Sequence, residues 1–162
     1  DPLIQGGTGS TSESLEMPVE MQDQVEVGTS DFPAAAALLA GCKWLKEERM
    51  ESVTAACKCY AQACYDELCD IQGVRVITPD PASGVLGPPI ISMVCDGYSP
   101  VEVAALFEQI AGVQVRSGYH CAARIHEFLG TTKGGTVRIS FGPFSGIEDV
   151  EAVVSATKKI ML

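Results

Sequence analysis

A polar segment at residues 116–122, with the sequence R-S-G-Y-H-C-A, holds the residue types best suited to nucleophilic chemistry. Cys121 follows His120 directly and lies five residues after Arg116. Positive neighbours favour the thiolate over the thiol, and the thiolate is the nucleophile in cysteine chemistry. Gly118 permits a tight backbone at this point. These residues alone leave an ordinary loop cysteine as an equal alternative, because neighbouring Cys and His often occur by chance.

Six further cysteines lie at positions 42, 57, 59, 64, 69 and 95 and raise the question of a metal site. They form no regular framework, and without a signal peptide we expect them to be reduced thiols. A helix turns by about 100° per residue, so Cys57 and Cys64 share one face while Cys59 and Cys69 point elsewhere. The cluster therefore predicts core and surface thiols and no metal site, with a redox role as the remaining alternative.

The composition predicts a single acidic domain with a hydrophobic core. Of the 162 residues, 46% are hydrophobic and 20% are charged, and the net charge is −10. Nucleic acids and anionic membranes both attract basic patches, so we expect neither as a partner. No apolar run approaches the roughly 20 residues of a membrane span, and the N-terminus lacks the features of a signal peptide. We therefore expect a cytoplasmic protein.

Hydrophobic periodicity predicts short strands alternating with helices after an irregular start. Residues 1–32 are predicted to be an extended strap with a short strand at 24–28, and Asp31 is the expected N-cap of the first helix. The predicted helices cover residues 34–45, 47–68, a segment beginning at Ser99-Pro100, and 147–161. The predicted strands cover residues 74–78, 90–94, 113–116 and 136–141. This order indicates an α+β fold, with helices on one face of a small, mainly antiparallel sheet.

Four segments, in order, resemble the C-terminal part of one enzyme family. The cysteine loop R-S-G-Y-H-C-A resembles the catalytic loop of pyridoxal-phosphate (PLP)-dependent cysteine desulfurases and selenocysteine lyases, in the class V aminotransferase superfamily. Residues 25–33, V-E-V-G-T-S-D-F-P, resemble the E-x-G-T-x-x-x-P segment of the family. Residues 135–140, G-T-V-R-I-S, resemble its strand with a substrate-binding arginine, and residues 6–10, G-G-T-G-S, its glycine-rich segment.

The resemblance implies the C-terminal small domain of a fold-type I PLP enzyme. Residues 1–32 would be a strap at the subunit interface, continuing from a large PLP-binding domain, and residues 33–162 would be the small domain. The implied reaction converts L-cysteine to L-alanine and leaves a persulfide on the enzyme, or acts on L-selenocysteine. The implied assembly is a homodimer that passes sulfur to an acceptor protein.

The resemblance also assigns roles to the residues of the cysteine loop and the following strand. Cys121 would attack the substrate sulfur and become a persulfide, and His120 would tune or shuttle protons. Arg138 would bind the substrate α-carboxylate, which suits the planar fork of a guanidinium group. Arg116 would help with substrate binding and orient the loop. The alternatives are a surface charge for Arg138 and a structural role for His120.

The cofactor contacts implied for this chain are few. Thr29 and Gly28 would bind the cofactor, with the hydroxyl and N–H groups of Thr29 reaching the PLP phosphate of the opposite subunit; for Thr29 the alternative is an ordinary polar residue at a helix start. In the family a lysine after a histidine holds PLP, but none of the six lysines here follows a histidine. The chain also begins without methionine. We therefore expect a fragment that is inactive alone, with another class V PLP enzyme or a non-catalytic sulfur-carrying or interaction module as the alternatives.

Overall fold

The chain divides into two compact units, which are described separately. The computed structural model describes residues 4–7, 9, 13–84 and 87–162. The first unit is Asp1–Glu48 and the second is Arg49–Leu162. Two positions of the glycine-rich segment, 8 and 10, lie outside the described residues. The predicted domain boundary at residue 32 stays a prediction; the compact units divide after Glu48, and the first long helix lies in the first unit.

Two helices make up the regular structure described in the first unit, α1 (Met21–Val25) and α2 (Phe32–Glu47). The prediction of a strand at residues 24–28 is wrong. The N–H of Gln24 donates to the Glu20 carbonyl at 3.2 Å and that of Glu26 to the Gln22 carbonyl at 2.9 Å, so the backbone closes a helical turn. Alternation over so few residues, without a partner strand, does not hold a strand in place.

Helix α2 begins as its sequence predicts. The Asp31 carboxylate accepts a hydrogen bond from the Ala34 N–H at 2.9 Å, which satisfies one of the free donors of the first turn. Pro33 lies in that turn, where its missing N–H costs nothing. The helix is rich in alanine and leucine, yet none of its residues is buried. Its packing against a neighbour therefore stays a prediction.

The second unit is built on an antiparallel sheet, as predicted. Its strands are β1 (Val74–Val76), β2 (Ile90–Cys95), β3 (Arg116–Gly118) and β4 (Thr136–Ser140). Their order is β1-β2-β4-β3, and each neighbouring pair is antiparallel. The helices are α3 (Met50–Cys69), α4 (Pro100–Ala111), α5 (Ala123–Leu129) and α6 (Ile147–Ile160).

The core lies between one face of this sheet and helices α3, α4 and α6. Alternate residues of the two central strands point into it, among them Ile91 and Met93 of β2 and Val137 of β4. Phe107 of α4 and Leu68 of α3 are fully buried against them. Burial of each large apolar side chain stabilises the fold by about 1.5–3 kcal/mol. The opposite face of the sheet carries Arg116 of β3 and Arg138 of β4 together with Ile90, Ser92 and Val94 of β2.

The third predicted strand is displaced along the chain. It was expected at residues 113–116, but β3 begins at Arg116. Val113 and Val115 pack against the core without joining the sheet. Pairing with β4 runs from Arg116 opposite Arg138 to Gly118 opposite Thr136. Residues of the cysteine loop therefore supply the strand itself.

In the part of the chain that the structure describes, no helix is both long and apolar enough to cross a membrane.

Candidate functional site

Cys121 lies in a tight turn between β3 and α5. The N–H of Ala122 donates to the Tyr119 carbonyl at 2.9 Å, which closes the turn around the two residues between them. These are His120, with φ of 52°, and Cys121, with φ of 61°. Turns with two consecutive positive φ angles favour glycine and asparagine, so this backbone is unfavourable for the residues it holds. It leaves the Cys121 side chain exposed.

Arg116 lies beside the thiol and opposite a second arginine. Its Nη2 is 3.6 Å from the Cys121 Sγ, and its Cα pairs with that of Arg138 across β3 and β4. Like charges directly opposite each other destabilise a sheet. Among the described residues the one ion pair joins Lys158 to Glu67 at 3.0 Å, so the arginines have no carboxylate of their own. The pair is therefore suited to bind an anion.

The surroundings of Arg138 also indicate that it is suited to bind an anion. Its Nε is buried and has no hydrogen-bond partner among the described residues. A buried charged donor without a partner costs about 1–3 kcal/mol or more. A carboxylate can accept two parallel hydrogen bonds from one guanidinium group and would remove this cost.

His120 presents a basic nitrogen at the site. Its Nε2 is 3.1 Å from both the carbonyl oxygen and the Oγ1 of Thr136. A carbonyl only accepts, so Nε2 carries the proton and Nδ1 is an acceptor. Nδ1 is buried and has no partner among the described residues. Burial, helped by the charges of Arg138 and Arg116, lowers the pKa of His120 although the Thr136 carbonyl opposes the shift, so the ring is neutral near pH 7.

Two glycines allow the strands to meet behind the turn. Gly135 has φ of 83°, and a Cβ there would lie 2.1 Å from the carbonyl oxygen of Gly118. Any side chain at Gly135 would push β3 away from β4. The glycine before the T-V-R-I-S strand thus holds Arg116 opposite Arg138.

Thr29 and Gly28 belong to the first unit. Gly28 has φ of 85°, and its N–H donates to the Gly7 carbonyl at 2.7 Å. Gly28 therefore provides the positive φ angle, and its N–H group is already bonded to the Gly7 carbonyl. Thr29 is exposed, and no described residue forms a hydrogen bond with its hydroxyl group. The hydroxyl is free to bind a ligand.

The structure places Arg116, His120, Cys121 and Arg138 near one another, and their roles stay predictions. Sequence reasoning did not single out His126. This histidine is 2% exposed and lies behind the turn, with its Nε2 3.1 Å from the Tyr119 carbonyl. The signal for His126 that the sequence offered was its position on the helix soon after Cys121.

The remaining cysteines divide between core and surface. Cys57 and Cys64 are buried on one face of α3, as predicted, and Cys95 is buried on β2. Burial raises the pKa of Cys64 to about 12 and, with a contribution from Asp96, that of Cys95 to about 11. The described residues contain no group of His, Cys, Asp and Glu side chains arranged to hold a metal.

Cys121 is expected to be the most reactive of the seven thiols. It is exposed and has a guanidinium donor at 3.6 Å, whereas burial keeps Cys64 and Cys95 protonated. Limited alkylation near neutral pH, followed by peptide mapping, measures the order of labelling. Faster labelling of Cys42, which is exposed on α2, would contradict this expectation.

Comparison with known proteins assigns the chain to a family. The sequence model of the family described as Aminotransferase class-V matches residues 1–153. The chain belongs to this family. A probable cysteine desulfurase of Vibrio cholerae is 34% identical over 134 residues, which cover 83% of this chain and 31% of that protein. The cysteine desulfurase CsdA of Escherichia coli is 25% identical over 138 residues, covering 85% of this chain and 32% of that protein.

The fold agrees with solved structures of such enzymes. The crystal structure of CsdA from Escherichia coli matches with a TM-score of 0.75 and 21% identity, covering 99% of this chain and 39% of that one. The apo structure of a cysteine desulfurase from Thermococcus onnurineus NA1 matches with a TM-score of 0.77 and 23% identity, with the same coverage. The fold prediction is confirmed. The chain spans about a third of the length of its curated relatives.

The family implies PLP, and each unit, taken by itself, has a group whose chemistry fits a part of such a cofactor or its substrate. The unpaired Nε of Arg138, opposite Arg116, suits the amino-acid carboxylate. The free hydroxyl of exposed Thr29 suits a phosphate oxygen. None of the six lysines follows a histidine.

Proposed function

We propose that this chain is the C-terminal part of a PLP-dependent cysteine desulfurase or selenocysteine lyase that acts in the cytoplasm. The observation that carries the proposal is the grouping of an exposed cysteine with two arginines that form no ion pair among the described residues. Arg116 Nη2 lies 3.6 Å from the Cys121 sulfur, and Arg138, directly opposite Arg116, has a buried unpaired Nε. The similarity to cysteine desulfurases over more than four fifths of the chain supports it.

The arginines bind and orient the substrate in this proposal. Arg138 donates hydrogen bonds to the α-carboxylate of L-cysteine, and Arg116 donates to the Cys121 thiolate. Binding the carboxylate fixes one end of a small amino acid, so its sulfur is directed toward a fixed nucleophile. When bound, PLP acts as an electron sink that makes the Cα proton labile.

Cys121 takes the sulfur. Its thiolate forms an S–S bond with the substrate sulfur while the C–S bond of the substrate breaks. The electron pair of the C–S bond stays with the carbon fragment, which gains a proton and leaves as L-alanine. The balance is L-cysteine plus the Cys121 thiol giving L-alanine plus the Cys121 persulfide. The unpaired Nδ1 of His120 accepts the proton released from a thiol at the site.

The lysine that would hold PLP is proposed to lie in a part of the protein beyond this chain. We therefore expect the 162-residue chain alone to form no PLP adduct that borohydride can trap. The whole protein is proposed to be a homodimer that passes the persulfide sulfur to an acceptor protein. Exposure of the Cys121 turn suits such a transfer.

Trapping the persulfide tests this function. The full-length protein with PLP is incubated with L-cysteine, alkylated and digested, and its peptides are weighed by mass spectrometry. The peptide containing Cys121 is expected to gain the mass of one sulfur atom, with L-alanine formed in equal amount on the first turnover. A persulfide on a different cysteine, or alanine without any persulfide, would overturn the proposal. Parallel incubation with L-selenocysteine decides between the two substrates.

Replacing Thr29 by alanine is expected to weaken PLP binding in the full-length protein by about tenfold or more. The change removes a hydroxyl bond to a doubly charged phosphate, a charge-assisted bond of about 1.5–3 kcal/mol. Equilibrium binding of PLP measures it, and Ser30→Ala, at the neighbouring exposed hydroxyl, is the matched control.

Mixed dimers show which subunit Thr29 serves. Subunits with Thr29→Ala are combined with subunits that lack the cofactor lysine. If Thr29 binds the phosphate of the opposite subunit, one site of the mixed dimer has both groups, and tight binding returns in half of the sites. Failure to recover any tight site would show that Thr29 does not act across the interface.

A further inference from the structure

The conformation of the turn that carries Cys121 must be stabilised by contacts with residues outside the turn. Its two central residues, His120 and Cys121, both have positive φ and neither is glycine. Its closing bond joins the Ala122 N–H to the Tyr119 carbonyl at 2.9 Å. One such bond closes many turns with ordinary φ angles, so it does not select this conformation over the others.

His126 supplies a second bond to the same carbonyl. Its Nε2 is 3.1 Å from the Tyr119 oxygen, and its Nδ1 is 2.7 Å from the Thr131 Oγ1. Because a carbonyl only accepts, Nε2 carries the proton and Nδ1 accepts the Thr131 hydroxyl hydrogen. His126 is 2% exposed and Thr131 4%, so water does not compete for these bonds. The ring therefore has one tautomer and one orientation.

Further contacts connect Tyr119 and His126 to the segment that follows α5. The His126 carbonyl accepts from the Thr131 N–H at 2.8 Å, and the Tyr119 hydroxyl donates to the Thr132 carbonyl at 2.6 Å. The Tyr119 ring stands at 90° to the imidazole of His126, with centroids 5.0 Å apart. The turn is thus attached to the segment that leads from α5 into β4, the strand of Arg138.

We propose that His126 is a positioning residue for the nucleophile. It fixes the Tyr119 carbonyl, holds the turn with two positive φ angles, and so keeps the Cys121 sulfur beside Arg116. Its contribution to sulfur transfer rests on the function proposed above, whereas its effect on the Cys121 thiol does not. His126 touches neither the thiol nor the arginines through any described hydrogen bond and acts through the backbone.

Alkylation of Cys121 near neutral pH tests the proposal on the full chain, and it needs neither PLP nor substrate. His126→Leu is expected to slow Cys121 labelling by about tenfold, because the sulfur is then no longer held beside the Arg116 guanidinium group. His126→Gln, whose amide can donate to the Tyr119 carbonyl, is expected to restore the rate to within about threefold. Labelling of Cys42 in the same sample is the internal reference and should not change.

Thr131→Val provides a milder variant should His126→Leu fail to fold. It removes the hydroxyl that orients His126 and is expected to slow Cys121 labelling by about two- to tenfold. Thr157→Val is the matched control, because it removes a buried hydroxyl that donates within α6 to the Val153 carbonyl at 2.8 Å. Equal rates for Thr131→Val and Thr157→Val, an unchanged rate in folded His126→Leu, or no recovery in His126→Gln would overturn the role of His126. None of these outcomes bears on persulfide formation, so the two proposals fail separately.

Discussion

Serine in place of Cys121 is expected to reduce alanine formation from L-cysteine by about a thousandfold or more in the full-length protein. The serine hydroxyl group is not ionised near neutral pH, and an oxygen nucleophile cannot form a persulfide. Binding of PLP and of the substrate carboxylate should remain, because Arg138 and Thr29 are unchanged. The assay follows alanine and sulfide separately, and the absorbance of the bound cofactor confirms that the protein is loaded.

Cys42→Ser is the control for this substitution. Cys42 is also an exposed thiol, but it lies on α2 without a guanidinium donor among the described residues. Its replacement should leave the rate of alanine formation within about twofold, as is usual for a surface substitution. Activity of Cys121→Ser within tenfold of the unchanged protein would contradict the assignment of the nucleophile.

Arg138→Met is expected to lower kcat/KM for L-cysteine by about a hundredfold or more. Two charge-assisted bonds to a carboxylate, of about 1.5–3 kcal/mol each, would be lost. The loss should appear mainly in KM, because the carboxylate bond is made before and during the reaction. Arg138→Lys keeps the charge but not the fork and should recover only part of the activity.

The stability of the same variant separates a binding role from a structural one. Arg138→Met removes the repulsion with Arg116 and an unpaired buried donor, so the Tm should stay the same or rise. Arg75→Met is the control, because Arg75 lies on β1 and its Nη1 is 3.5 Å from the Leu129 carbonyl. It should leave KM unchanged. A large fall in Tm for Arg138→Met would indicate that the arginine supports the fold instead.

Most helices and strands could be predicted because local signals agree with the packing. Ser99 and Glu102 form a capping box that begins α4 where the Ser-Pro pair indicates it. The apolar spacing of α3 places Cys57, Cys64 and Leu68 on its buried face. Long periodic segments carry this information themselves, since one helix face must be buried.

The errors arose where a partner strand decides the structure. The alternating residues 24–28 are too few to form a strand alone, and a helical turn forms there instead. The β-branched residues Val113 and Val115 suggest a strand, but β4 pairs with the residues that follow them. The register of β3 and β4 depends on the close approach of Gly118 and Gly135. These two glycines are distant in the sequence, so local patterns do not encode their contact.

The candidate site was predictable in its residue types but not in its arrangement. The cysteine loop and the T-V-R-I-S strand indicated Cys121 and Arg138 separately. The pairing of β3 with β4 places Arg116 directly opposite Arg138. The same pairing leads to a turn in which two residues have positive φ. The role of His126 depends on a carbonyl that becomes its neighbour only when this turn forms.

Strand β3 lies at the edge of the sheet and is bonded to β4 alone over three residues. Few hydrogen bonds hold it, so detaching β3 costs less free energy than opening the central pair of β2 and β4. Local opening of β3 therefore leaves the core folded, with the turn still attached through Tyr119 to Thr132 and His126. In the proposed function, such opening would present the persulfide to an acceptor protein without any rearrangement of the helices.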